Sequence, residues 1–225
     1  MTVSRFVSAI ALCALSALSH AATLVSFPFT ATTNATTVTF PALSASFAST
    51  LSPVTPYIGN DGFGNVLESY PMSGAMTVAT ALSTNSFFTI TVNAAADAPM
   101  TLTQLLFEVG KGGTADPRGY FIRSSLDGYA SDIFSQTLPV GATAAPVATI
   151  VNLSSIPGMA RVTTVTFRFY IYTPNPASNS IDFRNLSVVG TQAPALPVPV
   201  NQFTWLLGAM LAALAVIALR PRRRY

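Results

Sequence analysis

Apolar and polar residues alternate along much of this chain, which is typical of β-strands with one buried face. The clearest case runs from Arg161 to Tyr172, where one face is apolar and the other is polar or aromatic: Val165, Phe167, Phe169 and Ile171 against Thr164, Thr166, Arg168, Tyr170 and Tyr172. The segment from Phe88 to Val92 alternates in the same way. Both segments therefore predict strands of a half-buried sheet.

Further runs rich in Val, Ile, Thr, Phe and Tyr lie between clusters of Gly, Pro, Asn and Asp that mark turns. The predicted strands span residues 36–40, 86–92, 100–109, 119–124, 147–153, 161–172 and 180–189, and turns fall at 61–62, 127–128, 156–158 and 173–176. No segment between them has a convincing amphipathic helical pattern. We therefore expect an all-β ectodomain over residues 22–192, an antiparallel β-sandwich of jelly-roll type.

Two uncharged apolar runs flank this domain. Residues 1–21 contain one basic residue, an apolar stretch from Phe6 to Leu18 and small residues before Ala22. This layout predicts a secretory signal peptide that is cleaved between Ala21 and Ala22. The second run, from Phe203 to Leu219, would be roughly 25 Å long as a helix, near the minimum for crossing a bilayer. We expect a transmembrane helix over 203–219, joined to the domain by a Pro-rich linker, 193–202.

Aromatic and basic residues orient the second run. Trp205 lies at its domain-side end, where amphipathic rings favour the headgroup region. Four arginines follow its other end and are predicted to stop the helix on the cytoplasmic side: Arg220, Arg222, Arg223 and Arg224. Residues 220–225 are therefore predicted to form a basic cytoplasmic tail, with the domain on the outside.

The C-terminal segment resembles the sorting signals of bacterial exosortase substrates, the PEP-CTERM and IPTL-CTERM proteins. The matching residues are Val198, Pro199, Val200 and Asn201, followed by Trp205 and the arginine cluster. No Glu follows Pro199, so the subtype of the signal and its sortase stay open.

The resemblance implies a route and its partners. The Sec translocon and signal peptidase would export the chain, which would become an inner-membrane anchored intermediate. An exosortase-type membrane enzyme would then cleave near the Pro motif and release the protein to the cell surface or the extracellular matrix. The alternative is that the C-terminal helix is a permanent anchor.

A second resemblance lies within the domain. Residues 117–129 contain Arg123-Ser124-Ser125-Leu126-Asp127-Gly128, and residues 181–188 form a closing strand that begins Ile181-Asp182. Together with residues 166–172, these segments are similar to the β-sandwich domain common in PEP-CTERM exported proteins. The resemblance implies a fold similar in outline to carbohydrate-binding jelly rolls.

Composition removes many kinds of chemistry. The only cysteine and the only histidine, Cys13 and His20, both lie in the predicted signal peptide. The mature domain would therefore lack the Ser-His-Asp and Cys-His arrangements, disulfides and the usual zinc, copper or haem ligands. We predict no cofactor. The formal charge of +3 comes from the ends, since residues 22–192 hold six basic and eight acidic residues. No basic stripe is left for a nucleic-acid partner.

The remaining candidates for chemistry are carboxylates. Glu68 and Glu108 are the candidate catalytic pair of a glycoside hydrolase, which needs two carboxyl groups facing each other. Hard oxygen ligands for calcium would come from Asp61, Asn65 and Glu68, although their spacing does not match a twelve-residue calcium loop. Structural roles are the preferred interpretation for all of these. Asp127 fits a turn with Gly128, and Asp182 fits an ion pair with Arg184 on a strand face.

Glycan binding needs exposed aromatic rings with amides or carboxylates nearby. The candidate rings are Tyr57, Phe63, Tyr70, Tyr120, Tyr129, Tyr170 and Tyr172. We therefore predict a non-catalytic exported surface or extracellular-matrix protein, and not an enzyme. The first alternative is a carbohydrate-binding or adhesive module, with exopolysaccharide as its candidate partner. The second is a hydrolase that uses paired carboxylates.

Overall fold

The computed structural model describes residues 21–30, 33, 43–51, 62–140 and 145–193, and the backbone of residues 37–38 and 57–60. Residues Met1–Ala193 form one compact unit and residues 194–225 belong to another. The signal peptide before Ala21, the sorting motif from Val198 to Asn201, Trp205, the predicted transmembrane helix and the arginines at 220 and 222–224 lie outside the described residues. Within the described residues, no helix has the length and apolar character needed to span a membrane.

The described chain is an all-β sandwich of two antiparallel sheets. Its strands are β1 (Ala22–Phe27), β2 (Thr37–Val38), β3 (Leu43–Ser49), β4 (Tyr57–Asn60), β5 (Asn65–Ser69), β6 (Phe87–Ala94), β7 (Met100–Gly112), β8 (Gly119–Ser124), β9 (Asp132–Thr137), β10 (Val147–Asn152), β11 (Thr164–Tyr172) and β12 (Ser180–Gln192). One sheet has the order β10-β7-β12-β1-β2, with β5 pairing with both β12 and β4. The other has the order β3-β6-β11-β8-β9.

Strand β12 organises the first sheet. It pairs with β7 along nearly its whole length on one side. On the other side it pairs with β5 through Ile181–Phe183 and with β1 through Leu186–Gly190. A 13-residue strand can serve two partners in this way because each partner is only five or six residues long.

Most strand predictions are confirmed. Residues 119–124 are β8, and the runs at 86–92, 100–109, 147–153, 161–172 and 180–189 coincide with β6, β7, β10, β11 and β12 within a few residues. Of the run at 36–40, Thr37–Val38 is described as strand. Strands β1, β3, β4, β5 and β9 were not predicted.

The sequence has no amphipathic helical pattern between the strands, and the one α-helix that the structure describes there is too short to show such a pattern. A short helix, α1 (Val78–Ser83), starts at Thr77, whose hydroxyl accepts a hydrogen bond from the Thr80 amide, while the Thr80 hydroxyl accepts one from the Thr77 amide. This reciprocal capping supplies partners for the first backbone amides of the helix. Only Ala81 is buried in α1, so six residues leave no apolar periodicity to detect. A single turn of 3₁₀ helix spans Ser125–Asp127.

Aromatic rings fill the space between the sheets. Phe183 of β12 lies 5.0 Å from Phe88, 5.4 Å from Tyr120, 5.8 Å from Phe169 and 5.9 Å from Phe107, measured between ring centroids. The predicted inner face of β11 is confirmed, since its four apolar residues are all buried. Burial of such rings is the main source of stability available to a domain without disulfides.

Phe183→Ala should lower the free energy of unfolding by about 3–5 kcal/mol, because it removes a ring at the centre of the aromatic cluster and leaves a cavity. Urea unfolding of residues 22–193 would measure the change. Val140→Ala, at a residue that is 83% exposed, is the control and should change stability little. Equal effects of the two substitutions would contradict this description of the core.

Candidate functional site

Three of the seven candidate rings are unavailable to a ligand because they are buried: Tyr120, Tyr170 and Tyr172. Tyr120 points between the sheets and packs against Phe107 and Phe183. Tyr170 and Tyr172 lie on the outer face of β11, but a second cluster that includes Ala75 and Ala81 covers them. These three candidate tyrosines are therefore packing residues of the sandwich and do not stack on sugars.

Two further rings contact arginines, although one of them, Phe63, is still 52% exposed. The guanidinium carbon of Arg168 lies 3.6 Å from the centroid of Tyr129, and that of Arg184 lies 6.0 Å from the centroid of Phe63. Cation–π contacts of this kind hold the rings in place and cover part of their faces. The side chain of Tyr57 lies outside the described residues.

Tyr70 is half-buried, and it lines a cleft. The cleft lies between the loop from β5 to α1 and the loop from β11 to β12, and its volume is about 580 Å³. This volume is within the usual range for small-ligand sites. We call it the Tyr70 cleft, and its lining residues are Tyr70, Pro71, Ser73, Gly74, Met76, Asn175, Pro176 and Ala177.

Hydrogen bonds to the backbone hold the walls of the Tyr70 cleft. The Thr173 amide donates to the Ala75 carbonyl at 3.1 Å, which joins the two loops directly. The buried side-chain amide of Asn179 donates to the carbonyls of Pro174 and Asn175, at 2.9 Å each. Its oxygen accepts from the Ala115 amide at 3.1 Å. The cleft is therefore preformed, and a ligand would not have to order its walls.

A polar group of side chains lies next to Tyr70 on the outer face of the first sheet. The Tyr70 hydroxyl donates to Oε2 of Glu68 at 3.3 Å. Glu68 is paired directly with Asp182 on the adjacent strand β12. Asp182 is only 1% exposed, and its Oδ1 accepts a hydrogen bond from the Ser180 hydroxyl at 2.6 Å. Because side chains alternate along a strand, Glu68 and Tyr70 share one sheet face with Ser180 and Asp182 of β12.

The environment of Asp182 disfavours its charged form. Burial raises the pKa of Asp182 to about 6, and the nearby charge of Glu68 acts in the same direction. The hydrogen bond from Ser180 and the charge of Arg118 oppose the rise. Burial, followed by the charge of Glu68, also raises the pKa of Tyr70. Tyr70 therefore stays protonated and can donate to Glu68.

Two buried cationic side chains, Arg118 and Lys111, lie where β7 ends and β12 begins. Arg118 is fully buried, and its guanidinium donates to the carbonyls of Gly112 and Ser180 and contacts Asp116 at 3.3 Å. Lys111 reaches the same Asp116 carboxylate at 3.4 Å. The two carbonyls belong to the last residue of β7 and the first residue of β12. Arg118 therefore holds these two strand ends together, and with them Ser180 and Asp182 of the polar group.

The expected ion pair on a solvated strand face is corrected by the structure. Asp182 and Arg184 are both buried, and the hydrogen bond to Asp182 comes from Ser180. Glycines on the neighbouring strand β7 make room for them. A Cβ at Gly110 would lie 3.1 Å from Nη1 of Arg184, and one at Gly112 would clash with the Ser180 hydroxyl. The two glycines are the sequence signal that could have identified this buried polar group.

Glu68 and Glu108 do not form a catalytic pair. They lie on β5 and β7, the two strands that flank β12, where Glu68 is opposite Asp182 and Glu108 is opposite Arg184. At ~4.8 Å between strands, two strand spacings and a two-residue offset separate their backbones by roughly 12 Å. Glu108 accepts a hydrogen bond from Asn185 instead. Both carboxylates share one sheet face and do not face each other across a cleft.

The calcium interpretation also fails for the residues that the structure describes. Asn65 and Glu68 are three positions apart on β5, so their side chains point to opposite faces of the sheet. Asp61 lies outside the described residues. In the described part of the chain, no three acidic side chains converge. Asp127, by contrast, has the predicted turn role, since its carboxylate accepts from the amides of Ala130 and Ser131.

Comparisons with known proteins give a likeness in fold alone. No family model matches the chain, and no curated protein is significantly similar to it. A cleaved adhesin domain of Lys-gingipain from Porphyromonas gingivalis has a TM-score of 0.38 at 13% identity, covering 65% of this chain and 91% of that one. The family 11 carbohydrate-binding module of a Clostridium thermocellum cellulase has a TM-score of 0.36 at 15% identity, covering 77% and 96%.

An enzyme is among the similar structures as well. A Stig cyclase from Fischerella sp. has a TM-score of 0.33 at 14% identity, covering 81% of this chain and 93% of that one. All three scores lie below 0.5, and β-sandwiches of this kind carry many unrelated functions. The function of this chain must therefore be inferred from its own residues.

Asp182→Asn should remove a pH dependence of stability. Because folding raises the pKa of Asp182 from 3.8 to about 6, its contribution to stability is present below pH 3.8 and is lost as pH rises through about 6. Asn keeps an oxygen that accepts from Ser180 and carries no charge. The stability of the variant relative to the native domain should therefore rise by about 2 kcal/mol between about pH 4 and pH 7. Urea unfolding across this range measures the difference.

The control for this experiment is Asp97→Asn, at an exposed aspartate. It should show no comparable change across the same pH range. A difference between Asp182→Asn and the native domain that stays constant with pH would contradict a buried, protonatable Asp182.

Proposed function

We propose that this protein is a non-catalytic exported surface or matrix protein whose sandwich binds extracellular polysaccharide in the Tyr70 cleft. The observation that carries the proposal is a half-buried tyrosine in a preformed cleft of about 580 Å³, with its hydroxyl bonded to the carboxylate of Glu68. Among the candidate rings whose side chains the structure describes, Tyr70 lines this cleft and also has a hydrogen-bonding partner.

The lining of the Tyr70 cleft suits a sugar. A pyranose ring has an apolar face and a rim of hydroxyls, so it needs an aromatic or aliphatic surface together with a few polar groups. The cleft offers apolar surface from the Tyr70 ring, Pro71, Met76 and Pro176, and exposed polar groups from Ser73 and Asn175. None of the residues that line it is basic, so a neutral glycan fits it better than a phosphorylated or nucleic-acid ligand.

The carboxylates next to the cleft support a binding role and not hydrolysis. A glycosidase needs two carboxyl groups that both reach the scissile bond. Asp182, the carboxylate nearest in register to Glu68, is 1% exposed and cannot touch a substrate in this conformation. Of these two carboxylates, Glu68 is the more exposed, and it accepts a hydrogen bond from the Tyr70 hydroxyl.

The boundaries of the fold support export and processing. Strand β1 begins at Ala22, the first residue after the predicted signal peptide. Strand β12 ends at Gln192, and the Ala193 amide donates to the Pro99 carbonyl. Cleavage after Ala21 and near Val198 to Asn201 would therefore leave every described strand intact. The jelly-roll connectivity, the transmembrane helix and the exosortase route belong to the same proposal.

Tyr70→Ala should weaken binding to a recognised polysaccharide about tenfold, because an aromatic contact contributes ~1.5 kcal/mol. Tyr70→Phe keeps the ring and should retain most of the affinity. Pull-down and calorimetry with a panel of neutral exopolysaccharides and their oligosaccharides would measure this. Tyr129→Ala, at the ring covered by Arg168, is the matched control. The proposal fails if no glycan binds, or if Tyr129→Ala weakens binding and Tyr70→Ala does not.

The mature protein should end between about Val198 and Asn201, since the resemblance of the tail implies cleavage near the Pro motif. Mass spectrometry of protein from the cell surface and medium would locate the C-terminus. Replacing the four tail arginines by alanine should leave the chain unprocessed, because the stop on the cytoplasmic side is lost. Extracellular peptides that extend to Tyr225 would refute the processing step.

A further inference from the structure

Strand β10 is an open edge. It ends the first sheet, pairing with β7 on one side, and no described strand lies on its other side. In an antiparallel ladder, alternate residues direct their backbone amides and carbonyls away from the partner strand. An edge of this kind is a template for a further strand.

Large apolar side chains accompany this open edge. Val147 and Ile150 of β10 are 55% and 62% exposed, and Val140 in the preceding segment is 83% exposed. A small cleft of about 170 Å³ is lined in part by Val140, Ala145 and Val147, while Ile150 lies on the opposite face of β10. No charged residue occurs between Asp132 and Arg161. Exposed apolar groups in one uncharged stretch are typical of an interaction surface.

The usual protections of an edge strand are missing from β10. Natural edges carry lysines, prolines or bulges that prevent pairing with another chain. Strand β9, the edge of the other sheet, has a register irregularity and an Arg123–Asp132 ion pair of 2.6 Å. Strand β10 pairs with β7 in unbroken register over six residues and contains neither charge nor proline. The only lysine of the chain, Lys111, is buried against Asp116.

We propose that β10 pairs antiparallel with β10 of a second copy of this chain and joins the two sandwiches through one continuous sheet. Charge favours this occupant, because the uncharged stretch from residue 133 to 160 lets two copies of a domain with two excess acidic residues meet without like-charge contacts. An antiparallel strand pair is also complementary to itself about a two-fold axis. The proposal is independent of the ligand of the Tyr70 cleft.

The register of the pair follows from the alternation of side chains. Residues opposite each other must lie on the same face, so the two-fold axis passes through a residue and not between two. Centring it at Ile150 places the most exposed apolar side chain of the strand against its counterpart and puts Ala148 opposite Asn152. This arrangement covers Ile150, which is 62% exposed in the single domain.

Sedimentation of residues 22–193, which hold the entire described core, should show a concentration-dependent dimer. Ile150→Lys should weaken dimerisation at least about tenfold, because it brings two ammonium groups together at the axis. Ser46→Lys, the same kind of change on the open edge strand β3, is the matched control and should leave the dimer unchanged. Circular dichroism would show that both variants keep the sandwich.

A cysteine placed at the axis tests the register without adding charge. Residues 22–193 contain no cysteine, so Ile150→Cys introduces a single thiol. Opposed residues of antiparallel strands lie within disulfide range, so this variant should form a disulfide-linked dimer on mild oxidation, whereas Ser46→Cys should not. A monomer at the highest soluble concentration, a dimer unaffected by Ile150→Lys, or cross-linking by Ser46→Cys alone would each overturn the proposal.

Discussion

Packing of aromatic rings between the two sheets is the interaction on which this structure depends. No cysteine follows Ala22, so no disulfide stabilises the domain, and burial and backbone pairing contribute most of its stability. Phe183 is central, since its ring meets Phe107 of its own sheet and Phe88 and Phe169 of the other. Because side chains of a strand alternate, fixing Phe183 inside also fixes Asp182 on the outer face. The core therefore positions the polar group beside the Tyr70 cleft.

The outer face of β12 combines two opposing requirements. Buried polar groups need room and partners, and here Gly110 and Gly112 of β7 give the room while Ser180 gives a partner to Asp182. Burial still disfavours the ionised carboxylate, which raises its pKa. Strand residues are usually either apolar and buried or polar and exposed, but Asp182 and Arg184 of β12 are charged and buried. Residues that depart from such a rule often have a functional role. That place adjoins the Tyr70 cleft.

The fold was predictable where alternation is strong, and the site was not. β6 and β11 contain bulky apolar residues at every second position, whereas β3, with the sequence Leu-Ser-Ala-Ser-Phe-Ala-Ser, is too rich in small residues to be recognised as a strand. Alternation correctly placed Tyr170 on the outer face of β11, but it gives no information about the α1 segment that covers that face. Tyr70 was among the candidates, and only the meeting of two loops distant in sequence makes its cleft.

Scarcity of charge links the surface of this domain to its proposed role. Charged residues make up 8% of the chain, so hydroxyls and amides supply most of its polar surface. Such a surface leaves strand edges without the repulsion that normally keeps proteins apart. In an exported matrix protein, pairing through β10 would join two Tyr70 clefts in one particle. Two linked sites raise avidity for a repeating polymer without any new contact, because the second binding event becomes intramolecular. The same composition would thus serve self-association and attachment to polysaccharide.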